Sequence, residues 1–495
     1  MLYKSTRGKE KKIYSSDAIV KGLAEDGGLY VPVEIPVIDQ PLNELKDKNY
    51  LEIAYEVMSK FFDDFDKNSL LECVERAYDH KFDKKEIVDI KEINDAYFLE
   101  LYHGPTIAFK DMALSILPHL LKTACKKLNF NKEVVILTAT SGDTGKAALE
   151  GFADVEGTKI IVFYPKDGVS PIQERQMTTQ EGKNTFVVSI DGNFDDAQRG
   201  VKEIFSDENM NKLLEENNYV FSSANSINIG RLVPQVVYYV YSYLQLLKNE
   251  EIKDGEKINV VVPTGNFGNI LAGYYAKQMG LPIDQLICAS NENNVLCDFF
   301  NTGVYDRRRD FKVTNSPSMD ILVSSNLERL LYEISGKNED AVKYLMEKLN
   351  TDGEYEITNE MKNNMRDFHA GFATEKDTQG IINKVYKESN YLMDTHTAVA
   401  YSVYKKYKEE TKDNTKTIIV STASPFKFTR SVIESIGEKF ESMDDFELMK
   451  ELSKMSKVDI PNAVNDLDKR EILHNNVCSK GEMRDVIKEL LGVRK

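Results

Sequence analysis

Apolar residues along this chain fall into two patterns, and their alternation predicts the architecture. Short runs at 134–137, 160–163, 186–190, 260–262, 286–288 and 418–420 are mostly rich in Val and Ile and lack polar alternation. Such runs suit strands buried on both faces, hence a parallel sheet. Each ends in a turn or loop signal. Helical spacing separates them, most clearly at 111–128, 144–153, 269–279 and 397–407. Strand, loop and helix in repetition predict an α/β fold. The N-terminal stretch reads mainly as helix and loop: Leu51, Ala54, Tyr55, Met58 and Phe62 keep helical spacing, as do Leu70, Leu71, Val74 and Tyr78. From about 298 to 388 the chain is more charged and less strand-like, which reads as an inserted or peripheral layer.

With 495 residues the chain exceeds what one core usually serves. The expected division is a mostly helical domain over 1–95, a large α/β domain over 96–135 and 255–495, and a small α/β domain over 136–254. Hydrophobic residues make up 41% and charged residues 29%, ordinary values for a folded globular protein. The net charge of −16 disfavours nucleic acid as a partner but allows a small anion in a locally positive pocket. The polar start has no apolar secretory core, and the most apolar long stretch, 232–247, is too short to span a bilayer. A cytoplasmic, membrane-free protein is therefore expected. The five cysteines are scattered with no Cys-x-x-Cys pair, so neither disulfides nor a metal site is expected.

Two loops suit an anion. Val260-Val261-Val262-Pro263-Thr264 runs into Gly265-Asn266-Phe267-Gly268-Asn269 and then an amphipathic helix. Glycines let the backbone approach a ligand closely, and a helix start offers unpaired N–H groups with a favourable dipole. A tight strand-to-helix turn without a ligand gives the same pattern. The glycine spacing fits neither a dinucleotide fingerprint nor a Walker loop. Thr138-Ala139-Thr140-Ser141-Gly142-Asp143-Thr144-Gly145 is a second loop of this kind, or simply a capped helix start. In His103-Gly104-Pro105-Thr106-Ile107-Ala108-Phe109-Lys110-Asp111, apolar neighbours would desolvate Lys110, which lowers an amine's pKa and suits Schiff-base chemistry. A surface lysine at a helix start is the ordinary alternative.

Together these segments resemble the threonine synthases. His103 to Asp111 resembles their cofactor-lysine segment, and Gly265 to Asn269 their pyridoxal-phosphate phosphate loop. Ser141-Gly142-Asp143-Thr144-Gly145 is similar to the loop that holds the substrate carboxylate in fold-type II enzymes. Asn225-Ser226-Ile227-Asn228 with Arg231, and Ser421-Thr422-Ala423-Ser424-Pro425-Phe426-Lys427-Phe428, match two further segments. The start, Ser5-Thr6-Arg7-Gly8 and Gly22 through Pro32, resembles the extra N-terminal domain of the bacterial and fungal subgroup. Ser316-Pro317-Ser318-Met319-Asp320-Ile321 and Ser324 through Leu330 are also typical of it. The family's usual His and Ala in the last stretch are Ser424 and Phe426 here.

The resemblance implies a fold-type II, tryptophan-synthase-β-like architecture whose large domain binds pyridoxal 5′-phosphate. It implies conversion of O-phospho-L-homoserine and water to L-threonine and phosphate by γ-elimination and β-addition of water. Lys110 would carry the cofactor as an internal aldimine and then act as the base. Gly265, Asn266, Phe267, Gly268 and Asn269 would bind the cofactor phosphate, and Thr422 would bond the pyridine nitrogen. Ser141, Asp143 and Thr144 would take the substrate carboxylate or help place its phosphate. Asn228 and Arg231 are candidates for the substrate phosphate. Arg307-Arg308-Arg309 reads as a self-paired loop, and His396 and His103 as structural. A monomer or homodimer is expected. A phospho-lyase releasing 2-oxobutyrate, or a non-catalytic pyridoxal-phosphate binder, is the competing reading.

Overall fold

The computed structural model describes residues 1–8, 11–140, 142–166, 168–437, 440 and 442–493. All six Val/Ile-rich runs form strands, and they divide between two sheets. The larger has six strands in the order Phe368–Phe372, Ile283–Ser290, Ile258–Pro263, Thr417–Ser421, Ala96–Glu100 and Asp89–Ile93. The first five run parallel and the last is antiparallel. The smaller sheet is parallel throughout: Asn476–Ser479, Thr185–Asp191, Thr158–Pro165, Glu133–Ala139 and Tyr219–Ser222. Val260, Val261, Val262, Ile418, Ile419 and Val420 are buried, as strands covered by helices on both faces require. Helices Ile229–Lys248 and Thr395–Thr411 are among those that cover the larger sheet and its loops.

The structure departs from the sequence expectation in four places. Residues 298–388 are not wholly peripheral, because Phe368–Phe372 forms the edge strand of the larger sheet beside Ile283–Ser290. The chain end does not stay with the larger sheet. Asn476–Ser479 pairs with Thr185–Asp191, and helix Met483–Leu491 packs its buried Met483, Ile487 and Leu491 in the core of the smaller sheet. The N-terminal region carries an antiparallel sheet of Ile13–Tyr14, Leu2–Ser5 and Tyr30–Pro32 besides its helices Tyr50–Phe61 and Lys67–Ala77. The helix expected over 111–128 breaks into Asp111–Leu114 and Leu117–Lys127, with Pro118 in the first turn of the second. Proline lacks the N–H that a continuous helix would need and is best accommodated in a first turn.

The two segments that mark the subgroup by sequence hold each other. Thr6 Oγ1 donates to Glu328 Oε1 at 2.6 Å, and Arg7 grips the same carboxylate through Nε and Nη2 at 3.0 and 2.9 Å. Arg329, fully buried, donates from Nε to the Tyr30 carbonyl at 3.0 Å. The N-terminal domain is thereby tied to the segment that carries Ser324 and Asn326, which in turn buttress the loop at Gly265.

Candidate active site

In open α/β sheets ligands sit beyond the carboxyl ends of the parallel strands. Here the loops after Ala96–Glu100, Ile258–Pro263, Ile283–Ser290 and Thr417–Ser421 meet the loop after Glu133–Ala139. Lys110 lies at the end of the first. Its turn is fixed by Asp111, whose carboxyl accepts the Thr106 N–H at 2.8 Å and the Thr106 hydroxyl at 2.6 Å. Gly104 is required there, since a Cβ would lie 2.6 Å from Asp111 Cβ. The Phe109 N–H donates to the Thr422 carbonyl at 2.8 Å, so Thr422, itself buried, borders the lysine's turn.

The Lys110 side chain is 12% exposed, and its Nζ lies 3.4 Å from both Asp143 Oδ2 and Ser318 Oγ. Asp143 Oδ1 also accepts from Gln173 Nε2 at 2.7 Å and faces Lys427 Nζ at 3.0 Å. Lys427 is fully buried and donates to the Thr106 carbonyl at 2.8 Å. Burial pulls the Lys110 amine down from its ordinary pKa; Asp143 opposes this, while Lys427 and Arg231 reinforce it. Burial works against ionised Asp143, but Lys427 and Lys110 outweigh it and hold the carboxyl far below the usual range.

Arg231 is 4% exposed. Its Nη1 donates to the Ala224 carbonyl at 2.9 Å, its Nε has no partner among the described residues, and burial alone lowers it to about 10. A buried guanidinium with an idle donor and no carboxylate is costly unless an anion joins it. Lys110 and Lys427 share one carboxylate, Asp143, and Arg231 has no carboxylate partner among the described residues, so the site carries surplus positive charge.

The Gly265 loop faces this cluster through Ser318. A Cβ on Gly265 would stand 2.6 Å from the Ser318 carbonyl oxygen, so that position must be glycine. Phe267 is left-handed at φ 63° and leads into helix Gly268–Gln278, the backbone shape that aims successive N–H groups at one anion. The loop's carbonyls are tied back: Ser324 Oγ donates to Gly265 O at 2.7 Å, and Asn326 N and Nδ2 donate to Asn266 O at 3.1 and 3.0 Å. Asn269 Oδ1 accepts from Tyr238 and Tyr239 hydroxyls at 2.7 and 2.5 Å, while its Nδ2 is buried without a partner among the described residues. The orphaned donors of Asn269 and Arg231, with the left-handed turn, fit a phosphate-bearing cofactor whose other end reaches Lys110.

The remaining expected residues separate. Thr144 is partly exposed at the start of helix Asp143–Phe152, and Ser141 lies outside the described residues. Asp143 is engaged by two lysines, Gln173 and Ser318, and so balances the cations. Asn228 uses its side chain within the fold: its Oδ1 caps helix Ile229–Lys248 at Gly230 N (2.9 Å), and its Nδ2 donates to Ile19 O at 3.0 Å. Arg308 pairs with Asp306 and Glu354, and Arg309 with Asp298. Ser424 caps the short turn Pro425–Phe428, and Phe426 is buried in the same apolar cluster as Ile107 and Ile172. Lys427 and Ser318 were visible only as letters within matched stretches. Gln173 gave no sequence signal.

His103 and His396 both serve as struts. His103 spans Asp83 at 2.8 Å and Glu100 at 3.1 Å. Burial disfavours its charge, but those two carboxylates prevail and raise its pKa. His396 accepts the Ser318 N–H on Nε2 at 3.1 Å, so its Nδ1 carries the proton donated to Asp394 at 2.9 Å.

Comparison with known proteins agrees with this geometry. Residues 2–78 match the family described as threonine synthase N terminus, 87–423 the pyridoxal-phosphate dependent enzymes, and 397–475 the threonine synthase C-terminal family. The threonine synthase of Schizosaccharomyces pombe is 39% identical over 462 residues, 87% of this chain and 88% of that protein. The human protein named Threonine synthase-like 1 is 38% identical over 439 residues, and the matched part is 58% of that protein's length. Among solved structures, pyridoxal-phosphate-bound threonine synthase from Brucella melitensis superposes with a TM-score of 0.88 at 35% identity, covering 100% of both chains. Yeast threonine synthase superposes with a TM-score of 0.89 at 32% identity, covering 99% of both. The chain belongs to the threonine synthase family, within the pyridoxal-phosphate-dependent enzymes.

Proposed function

We propose that this chain converts O-phospho-L-homoserine and water to L-threonine and phosphate, with pyridoxal phosphate bound through Lys110. The observation that carries the reading is a buried cation surplus: Lys110 and Lys427 face one carboxylate, Asp143, while Arg231 has no carboxylate partner among the described residues. That surplus suits a ligand set rich in phosphate. The bound cofactor supplies an electron sink for the charge left when a substrate carbon loses its proton.

Lys110 takes the Cα proton and later returns it; its lowered pKa favours the neutral amine that this requires. Gly265, Asn266, Phe267, Gly268 and Asn269 hold the cofactor phosphate by backbone amides and the free Asn269 Nδ2. The Thr422 hydroxyl would bond the pyridine nitrogen, a neutral partner that would not favour its protonation as a carboxylate would. Arg231 takes the substrate phosphate, its planar guanidinium offering the idle Nε. Thr144, at the start of helix Asp143–Phe152, orients the substrate carboxylate together with Ser141. Asp143 keeps the lysines in place and Asn228 fixes the helix that carries Arg231; neither binds substrate in this account.

A cytoplasmic monomer or homodimer belongs to the same reading. Five free, buried cysteines suit a reducing compartment, and no helix among the described residues is long and apolar enough to cross a membrane. Incubation of the holoenzyme with O-phospho-L-homoserine, with all products quantified, tests the function. Threonine and phosphate in equal amounts are expected. Release of 2-oxobutyrate and ammonia without threonine would make the chain a phospho-lyase, and no turnover would make it a non-catalytic binder.

A further inference from the structure

Ser318 sits in the short turn Pro317–Met319 and touches Lys110, Asp143, Gly265 and His396. Its hydroxyl donates to Asp143 Oδ2 at 3.0 Å, which leaves an oxygen lone pair for Lys110 Nζ at 3.4 Å. Its carbonyl stands against Gly265, and its N–H is held by the His396 ring. The turn is braced from the next strand as well. Asn291 Nδ2 donates to Ser316 Oγ at 3.1 Å and to Asp320 Oδ1 at 2.7 Å, and Asn293 Nδ2 donates to the same Asp320 oxygen at 2.9 Å. Asp394, which fixes the His396 tautomer, is fully buried and also caps helix Thr395–Thr411. Three elements thus converge to aim one partly exposed hydroxyl at the lysine amine.

From this geometry we infer that Ser318 is a positioning residue for Lys110, docking the amine beside Asp143 between its proton transfers. The inference rests on the function proposed above. When the substrate's Cα–H bond breaks, its electron pair stays with the substrate and the proton forms a new N–H bond on Lys110. The resulting ammonium needs acceptors that hold it near the carbon to which the proton returns. Asp143 Oδ2 and Ser318 Oγ, both 3.4 Å from Nζ, are a two-point dock of that kind. With Asp143 alone the amine can swing about one oxygen, and small misplacements of a reacting group cost large factors in rate. His396 acts one step further back, by fixing the Ser318 backbone.

Ser318→Ala tests this, because it deletes the hydroxyl and keeps both the N–H to His396 and the carbonyl at Gly265. Wild type, S318A and S318T are compared for the visible absorption of the bound cofactor, for kcat and KM, and for the primary deuterium isotope effect with Cα-deuterated O-phospho-L-homoserine. For S318A the expectation is an unchanged absorption band and a KM within about twofold. Its kcat falls on the order of 10-fold to 100-fold with a larger isotope effect, and S318T recovers most of the loss. S318A with wild-type kcat and isotope effect overturns the inference. So does a loss of the absorption band or a joint change in KM and kcat with no change in isotope effect, since a structural defect explains either. S318T no better than S318A also overturns it. Failure of the wild type itself to form threonine sinks the proposed function instead, so the two failures are distinct.

Discussion

The Lys427 ammonium lies 3.0 Å from Asp143 Oδ1, fully buried, on the opposite carboxylate oxygen from Lys110. Asp143 is therefore shared between a lysine that never meets solvent and the lysine proposed to do the chemistry. Breaking a buried pair leaves an uncompensated charge, at a cost of roughly 3–5 kcal/mol. Lys427→Met is expected to lose about that much in chemical unfolding. Lys427→Met with Asp143→Asn is expected to lose less than the sum of the single changes, by on the order of 1–3 kcal/mol. Strict additivity would show that the two groups do not act as a pair. Lys427→Met also leaves Asp143 to Lys110 alone, so the acid limb of the kcat profile should move to higher pH.

Arg231 presents the reverse case, a buried cation whose Nε awaits a partner. Arg231→Leu removes that unpaired charge. The ligand-free holoenzyme should melt no lower than wild type in a thermal scan, while the stabilisation that inorganic phosphate gives the wild type should largely vanish. KM for O-phospho-L-homoserine should rise roughly 10-fold to 100-fold, the worth of a charge-assisted hydrogen bond. A variant that melts much lower yet keeps its KM would place Arg231 in the framework alone.

Asp111 gives a pH signature. Burial pushes its carboxyl up to about 6, against the ordinary 3.8, even though the Thr106 N–H and hydroxyl favour the charge. A carboxyl raised on folding contributes stability that is complete below its unfolded pKa and disappears as pH climbs through its folded pKa. Wild type should therefore lose up to about 3 kcal/mol between pH 4 and 7 from this group, and Asp111→Asn should remove that slope. Unfolding free energies of both proteins across that range check it. Parallel curves would contradict it.

Most central strands are legible in sequence because burial on both faces leaves Val/Ile runs such as Val260 to Val262, whereas the equally buried Ala96–Glu100, with Tyr97, Phe98 and Glu100 in place of such a run, is not. Nor are the edge strands. Asp89–Ile93 mixes charge with partial exposure, Phe368–Phe372 contains His369 and Gly371, and Asn476–Ser479 is short and mostly exposed. Pairing across long sequence separations, not local pattern, makes them strands. The same limit applies to the site. Lys110 and the Gly265 loop carry local signals, an apolar approach and a glycine turn. Ser318, Gln173 and Lys427 matter through contacts 175, 30 and more than 300 residues away, which no local motif encodes. The partners of Asn228 and Asp143 are hidden for the same reason: each has the chemistry of a ligand, and its engagement by other groups shows only in the fold.

The account depends most on the cofactor's attachment to the Lys110 amine. Holoenzyme reduced with borohydride and then digested fixes the cofactor to whichever lysine holds it, and mass spectrometry of the peptides locates it. Pyridoxyl label on Lys110, with Lys427 and Lys146, the latter buried in helix Asp143–Phe152, both unlabelled, is the predicted result. Label on either of those buried lysines, or on no lysine, would contradict it.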